Sequence, residues 1–264
     1  MIPLPEALAP IEAVVRARLA TTAAPQVIGL CGAQGSGKST IAAHLAERIP
    51  DTVVLSLDDL YLTLAERERL AAAVHPLLRT RGVPGTHDVA LGEALLEDLR
   101  AGRAVRLPRF DKAIDDRAPE STWPRAEGAR LVIFEGWCVG ARPQTEEALD
   151  RPVNGLEDDE DPDEIWRRYA NGALGGLYRD LFRLDALILL AAPDFGAIYR
   201  WRLQQEHALA AAIAAGRRGG RAMSDDEVGR FIQFYQRLTQ HILGEMPGRA
   251  DLVVRLDANR QVIA

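Results

Sequence analysis

The chain has 264 residues, of which 47% are hydrophobic and 27% charged, and its formal net charge is −6. That length supports a sizeable core in a single α/β domain with insertions, and the acidic balance argues against a nucleic-acid-binding surface. No stretch approaches the roughly 18 apolar residues of a membrane span, no basic segment precedes an apolar run as in a secretory leader, and Cys31 and Cys138 lack metal-ligand spacing and read as buried free thiols, so a reducing cytoplasm is expected.

In chain order, residues 6–20 form a short amphipathic helix placed on the outside of a sheet. Gln26-Val27-Ile28-Gly29-Leu30 is a short apolar run with strand character, and Gly32-Ala33-Gln34-Gly35-Ser36-Gly37-Lys38-Ser39 follows directly, with Thr40 next. This is a complete G-x-x-x-x-G-K-S phosphate loop. Its glycines let backbone N–H groups turn inward around phosphate oxygens, Lys38 reaches the β- and γ-phosphates, and the Ser39 hydroxyl is a ligand for Mg²⁺. Ile41, Leu45 and Ile49 then recur at four-residue spacing, so a helix over 41–49 points its positive end at the phosphates.

A second strand over Thr52–Leu57 ends in Asp58-Asp59-Leu60-Tyr61. A carboxylate at this end opens beside the phosphate loop, where it can meet both Mg²⁺ and an acceptor hydroxyl. Asp58 is assigned as the general base for phosphoryl transfer, and Asp59 as a cap for the following helix. Residues 58–130 form a long substrate-binding insertion, with helices over 64–74 and 89–101 and loops broken by Pro84, Gly85, Pro108, Pro119 and Pro124. Within it, Arg79-Thr80-Arg81-Gly82-Val83-Pro84-Gly85-Thr86-His87-Asp88 gathers cationic and polar groups suited to a small anionic, hydroxylated substrate. Tyr61, Arg81, His87 and Asp88 are candidate contacts. Pro108 to Lys112 and Asp116-Arg117 supply a second polar cluster, from which Arg109 and Arg117 are candidates.

The third strand, Leu131–Phe134, runs into Glu135-Gly136-Trp137. An acidic residue directly after an apolar strand is the Walker-B arrangement, which makes Glu135 a third metal candidate beside Ser39 and Asp58. Trp137 is read as pocket wall, with core as the alternative. The acidic run 157–164 reads as a solvated loop and helix start, and a helix over 163–182 continues from it. A strand over Ala186–Ala192 leads to a helix over 197–215 that opens with Tyr199-Arg200-Trp201-Arg202. Arg200 and Arg202 lie about 200° apart on a helix, so one covers the nucleotide phosphates as a lid arginine while the other pairs on the surface. The lid region spans 199–224, and its Gly/Arg cluster at 216–221 reads as a mobile basic loop. Helix 225–243 packs either internally or against a second copy, which leaves a homodimer open, and Leu252–Leu256 is the last strand. Strands alternating with helices give an α/β fold with a doubly wound, mostly parallel five-stranded sheet and helices on both faces, and with the phosphate loop and a lid this is a single P-loop NTPase domain over 1–264.

Several stretches together resemble D-glycerate 3-kinases and their bacterial relatives, within the phosphoribulokinase/uridine kinase class of P-loop kinases. They are GAQGSGKST at 32–40, SLDDLYLT at 56–63, HPLLRTRGVPGTHD at 75–88, PRFDKAIDDR at 108–117, STWP at 121–124, FEGWCVG at 134–140, YRWRLQQE at 199–206 and MSDDEV at 223–228. The resemblance implies binding of ATP and Mg²⁺ by Gly32, Gly35, Gly37, Lys38, Ser39 and Thr40. It puts Asp58 at the base position and Glu135 at the acidic position of the third strand, and Arg200 and Arg202 in the lid. The implied activity is phosphorylation of D-glycerate or a similar small hydroxy acid. A sister activity on uridine, pantothenate or a sugar phosphate is the alternative, or a nucleotide-binding regulator. Against the regulator stand the missing Asn-Lys-x-Asp guanine motif and the missing Leu-Ser-Gly-Gly-Gln transporter signature.

Overall fold

A computed structural model describes residues 4–216 and 221–263. The sheet holds β1 (Gln26–Gly32), β2 (Thr52–Ser56), β3 (Leu131–Gly136), β4 (Ala186–Ala191), β5 (Leu252–Leu256) and β6 (Val262–Ile263). Their spatial order is β6-β5-β4-β1-β3-β2, with the first five in chain order parallel and β6 antiparallel to β5. The sequence predicts five strands; the sixth is two residues long and too short to carry a periodic pattern. Every residue of β3 and β4 is buried, as for parallel strands covered on both faces, whereas the edge strand β2 alternates half-buried and buried positions.

The helices are α1 (Leu4–Thr21), α2 (Lys38–Arg48), α3 (Leu64–Ala73), α4 (Val89–Arg100), α5 (Gly155–Glu160), α6 (Ile165–Gly175), α7 (Tyr178–Leu181), α8 (Phe195–Ala214) and α9 (Asp225–Glu245). Alternate strand side chains feed two apolar clusters. Ile28, Leu30 and Ile133 pack with Ile11 of α1, Ile41 of α2 and Trp201 of α8 on one face. Val27, Val132 and Phe134 pack with Leu95 of α4, Tyr178 of α7 and Ile242 of α9 on the other. Cys31 and Cys138 are both buried and free, as expected.

Three local expectations are corrected. The helix over 163–182 breaks after Gly175, because Gly176 leaves the helical region at φ −108°, ψ −88° and its N–H closes on the Gly172 and Ala173 carbonyls. Glycine in a helix interior costs about 1 kcal/mol relative to alanine, so two in succession make a stop. The acidic run is not wholly solvated. Glu157 and Asp161, four residues apart and so on one side of the chain, are fully buried. Glu157 pairs with Arg237 of α9 at 2.6 Å, while Asp161 pairs with Arg167 at 3.2 Å and accepts the Trp166 N–H. Asp59 does not cap α3 either; Thr63 does, in a reciprocal capping box with Glu66.

The insertion contains α3, α4 and two antiparallel ribbons, Val105–Arg106 with Arg125–Ala126 and Phe110–Asp111 with Asp116–Arg117. Arg67, fully buried, fastens these pieces together. Its guanidinium donates to the Leu62, Arg79 and Asp115 carbonyls and pairs with the Asp115 carboxylate at 3.1 Å. Of the expected lid, residues 217–220 and with them most of the basic cluster 216–221 lie outside the described residues.

Candidate active site

The phosphate loop joins β1 to α2. Gly37 sits at φ 87° as the residue before α2, a left-handed turn that costs glycine little, and Ile41 N–H closes onto its carbonyl at 3.0 Å. Gly35 is also left-handed at φ 78°, and a Cβ there would come within 2.7 Å of the Trp201 Cβ. The loop is thus pressed against α8 as well as curled around its own amides. Its outer side is held from an unexpected direction. Arg260, in the turn between β5 and β6, donates Nε–H to the Gly35 carbonyl at 2.8 Å and lies over the Trp201 ring at 5.1 Å.

β3 runs between β1 and β2, with Glu135 in register beside Leu30 and Ser56. Its carboxylate therefore emerges next to the start of α2, where it accepts the Ser39 hydroxyl at 3.0 Å. The second oxygen, Oε2, is buried and has no partner among the described residues, as is the Ser36 hydroxyl within the loop. Residues 32–39 with Glu135 therefore fit Mg²⁺ and a triphosphate. The serine and carboxylate oxygens are the hard donors that Mg²⁺ takes, and the curled loop is the cradle.

Asp58 lies in a 3₁₀ turn, Leu57–Leu60, just past β2. One carboxylate oxygen accepts the Tyr61 hydroxyl at 2.8 Å and the other the Lys112 ammonium at 2.7 Å. Burial favours the neutral acid, but the positive charges of Lys112 and Lys38 outweigh it and hold the carboxyl well below the usual range. Asp59 turns the other way. It accepts the Phe110 N–H at 3.0 Å and pairs with Arg109 at 3.2 Å, and burial raises its carboxyl.

A cleft of about 620 Å³ connects these groups, within the size range of small-molecule sites. Gln34, Gly35, Lys38 and Ser39 line one part, and Asp58, Tyr61, Arg81 and Trp137 another. Arg202 faces in from α8, held by the buried Glu206 at 2.6 Å and lying over the Phe231 ring at 5.6 Å. Arg200 is exposed and does not line the cleft, so of the two expected lid arginines only Arg202 reaches it. Arg81 pairs with Asp115 and lies over the Phe110 ring at 5.4 Å. Trp137 is both wall and core: 3% exposed, it lines the cleft and donates Nε1–H to the Gly82 carbonyl at 2.9 Å.

Four expected substrate contacts stand behind this wall instead. His87 is buried, stacked under Tyr61 at 4.7 Å with its Nδ1 2.5 Å from the Tyr178 hydroxyl, and burial pushes its imidazole down to about 3. Asp88 caps α4 through the Leu91 N–H and pairs with Arg117 at 3.0 Å. Arg117 also donates to the Tyr61 carbonyl at 3.1 Å. Arg109 is taken by Asp59. Each is an internal counterion, cap or packed ring, which a sequence cannot distinguish from a ligand contact. Lys112 and Tyr235, which also line the cleft, and Arg260, which braces the phosphate loop, were not among the expected site residues. Lys112 was inside a flagged cluster, but nothing near Arg260 marks it.

Known proteins resemble the chain in sequence and in fold. A family profile described as an AAA domain matches residues 27–107. The uncharacterized kinase mug58 of Schizosaccharomyces pombe is 36% identical over 259 residues, covering 89% of each chain. The chloroplastic D-glycerate 3-kinase of Arabidopsis thaliana is 31% identical over 267 residues, covering 90% of this chain but 54% of that one, so this chain spans about half its length. In fold, the D-glycerate 3-kinase of Cryptococcus neoformans superposes with a TM-score of 0.80 at 24% identity, covering 97% of both chains. The chain belongs to the same family of P-loop kinases as mug58.

Proposed function

We propose that the protein transfers the γ-phosphoryl group of ATP, with Mg²⁺, to a hydroxyl of D-glycerate or a similar small hydroxy acid. The observation that carries this reading is the shared cleft: the phosphate-loop end, with Lys38 and Ser39, opens into the same space as Asp58 and the cations Arg81, Lys112 and Arg202. A nucleotide-binding regulator needs no carboxylate facing its phosphates across a cleft that has room for a second ligand.

Mg²⁺, when bound, would supply neutralising charge to the phosphates, and the chain's own groups do the rest. Ser39 and Glu135 would hold the ion. Lys38 meets the charge on the transferred group, and Arg202, fixed by Glu206, covers it from α8. Asp58 orients the acceptor hydroxyl and takes its proton as the new O–P bond forms and the bond to the β-phosphate oxygen breaks. Tyr61 fixes the carboxylate through its hydroxyl. The insertion 58–130 supplies the acceptor side, and α8, which carries Arg202, covers the phosphates and helps exclude water.

The test is an ADP-release screen over small hydroxy acids, nucleosides and sugars with Mg·ATP. D-glycerate should turn over, with phosphoglycerate appearing in step with ADP. Turnover of uridine or pantothenate without D-glycerate would transfer the chain to a sister activity. GTP-selective binding with no acceptor at all would defeat the kinase reading.

A further inference from the structure

The cleft carries three cations beyond the phosphate-loop lysine, and they differ in what holds them. Arg81 is bound to Asp115, which Arg67 in turn anchors, and Arg202 is bound to the buried Glu206. Both guanidiniums also lie over aromatic rings, of Phe110 and Phe231. Lys112 is different, because its counterion is Asp58, the carboxylate that must receive the acceptor. Its side chain is 59% exposed, against 18% for Arg202. A flexible four-carbon stem leaves its ammonium free to turn toward a new partner without moving the backbone.

That backbone is fixed to the same turn that carries Asp58. Phe110, two residues before Lys112, donates its N–H to Asp59 at 3.0 Å. The strand partner of that segment, Asp116–Arg117, is tied to the Tyr61 carbonyl by Arg117. The base and the lysine are therefore built on one frame, with 2.7 Å between Nζ and Oδ2. A hydroxyl bonded to Asp58 and an anionic group bonded to Lys112 then lie within about 8 Å of each other, three hydrogen-bond lengths at most. A compact acceptor whose charge sits two or three carbons from the reacting hydroxyl falls well inside that limit, whereas one carrying its charge at the far end of a long chain does not.

The geometry points to Lys112 as the residue that determines specificity, exchanging its contact with Asp58 for the carboxylate of a short hydroxy acid and so selecting acceptors that carry the charge close to the hydroxyl. This inference deepens the reading of the cleft as an alcohol-phosphorylating site and rests on it. An uncharged alcohol of the same size would leave Lys112 on Asp58 and compete with it for the base.

The experiment compares D-glycerate with glycerol, supplied up to molar concentration, in wild-type protein and in Lys112→Met and Lys112→Arg variants, with ATP affinity measured alongside. Lys112→Met should lower kcat/KM for D-glycerate about ten- to hundredfold, the worth of one charge-assisted hydrogen bond. The decline should be mainly in KM, while glycerol turnover falls no more than about twofold and ATP binding is unchanged. Lys112→Arg should recover much of the loss, which a purely structural role would not predict. Equal loss on both acceptors, or no loss on either, overturns the inference while leaving the kinase reading standing. If wild-type protein ignores D-glycerate, that acceptor is wrong, and the same comparison is made on whichever hydroxy acid turns over and its uncharged analogue. Activity confined to uncharged acceptors overturns the inference outright.

Discussion

His87 gives the sharpest test of how the acceptor side of the cleft is built. Its ring lies under Tyr61, the residue that holds the Asp58 carboxylate, and is only 4% exposed. Burial keeps the imidazole neutral, pushing it down to about 3, whereas in the unfolded chain it titrates near ~6.5. Between those values the unfolded state binds a proton that the folded state refuses. Stability is therefore fully present above the unfolded value and falls with pH through the window down to the folded one. At pH 5 the unfolded imidazole is almost wholly protonated, and the difference is about 2 kcal/mol relative to neutral pH. Urea unfolding at pH 7.5 and pH 5 measures it, for the wild type and for His87→Gln. The glutamine variant starts less stable, since it loses the stacked ring and the Tyr178 contact, but should lose about 2 kcal/mol less than the wild type on acidification. The double difference removes all other titrating groups. Equal acid losses in the two proteins would refute a buried neutral histidine and with it the account of how Tyr61 is supported.

Other substitutions probe the remaining parts. Asp58→Asn keeps the shape but cannot take a proton, so kcat should fall about a hundredfold or more while nucleotide affinity, measured by titration, changes little. Arg202→Ala should cost kcat about tenfold or more and Arg200→Ala almost nothing, since only the former reaches the cleft; equal effects would reverse the lid assignment. Arg260→Ala removes the donor to the Gly35 carbonyl, so KM for ATP should rise about five- to tenfold with kcat nearly unchanged. Glu157→Gln leaves Arg237 buried without its counterion and should lower unfolding free energy by about 3–5 kcal/mol, with activity retained well below the melting temperature.

The parts of the site visible in the sequence share one property: backbone periodicity or spacing dictates them. The phosphate loop needs its glycines and its lysine at fixed offsets, and Asp58 and Glu135 follow apolar runs whose length fixes where a strand ends. Parallel pairing then brings those ends to one edge, with Glu135 in register beside Ser56. The acceptor side was legible only in outline. Arg81, His87, Asp88, Arg109 and Arg117 all stand in one polar insertion, yet only Arg81 lines the cleft, because the other four are consumed as counterions, caps or packing. Which charge meets which is set by tertiary folding of short ribbons held by Arg67, and two-residue strands carry no periodicity. The buried Glu157 was hidden by its neighbours, since the next four residues are all acidic and the first three of them are exposed.

The adjacent pair Asp58-Asp59 shows why those two kinds of information are coupled. In a 3₁₀ turn, successive side chains diverge by about 120°, so the two carboxylates cannot serve one site. Asp58 is turned to the cleft and Asp59 to the Phe110 N–H and Arg109 of the insertion. The second aspartate thus fastens to the base the hairpin that carries Lys112, and the distance between base and lysine becomes a property of the fold rather than of two independent loops. Lengthening that connection should loosen acceptor choice before it affects nucleotide use. Asp59→Asn keeps one acceptor for the Phe110 N–H but loses the Arg109 charge, and it should widen the range of acceptors, with glycerol gaining relative to D-glycerate while KM for ATP stays within about twofold. If acceptor preference is unchanged when the hairpin is loosened in this way, the spacing between Asp58 and Lys112 is not what selects the acceptor.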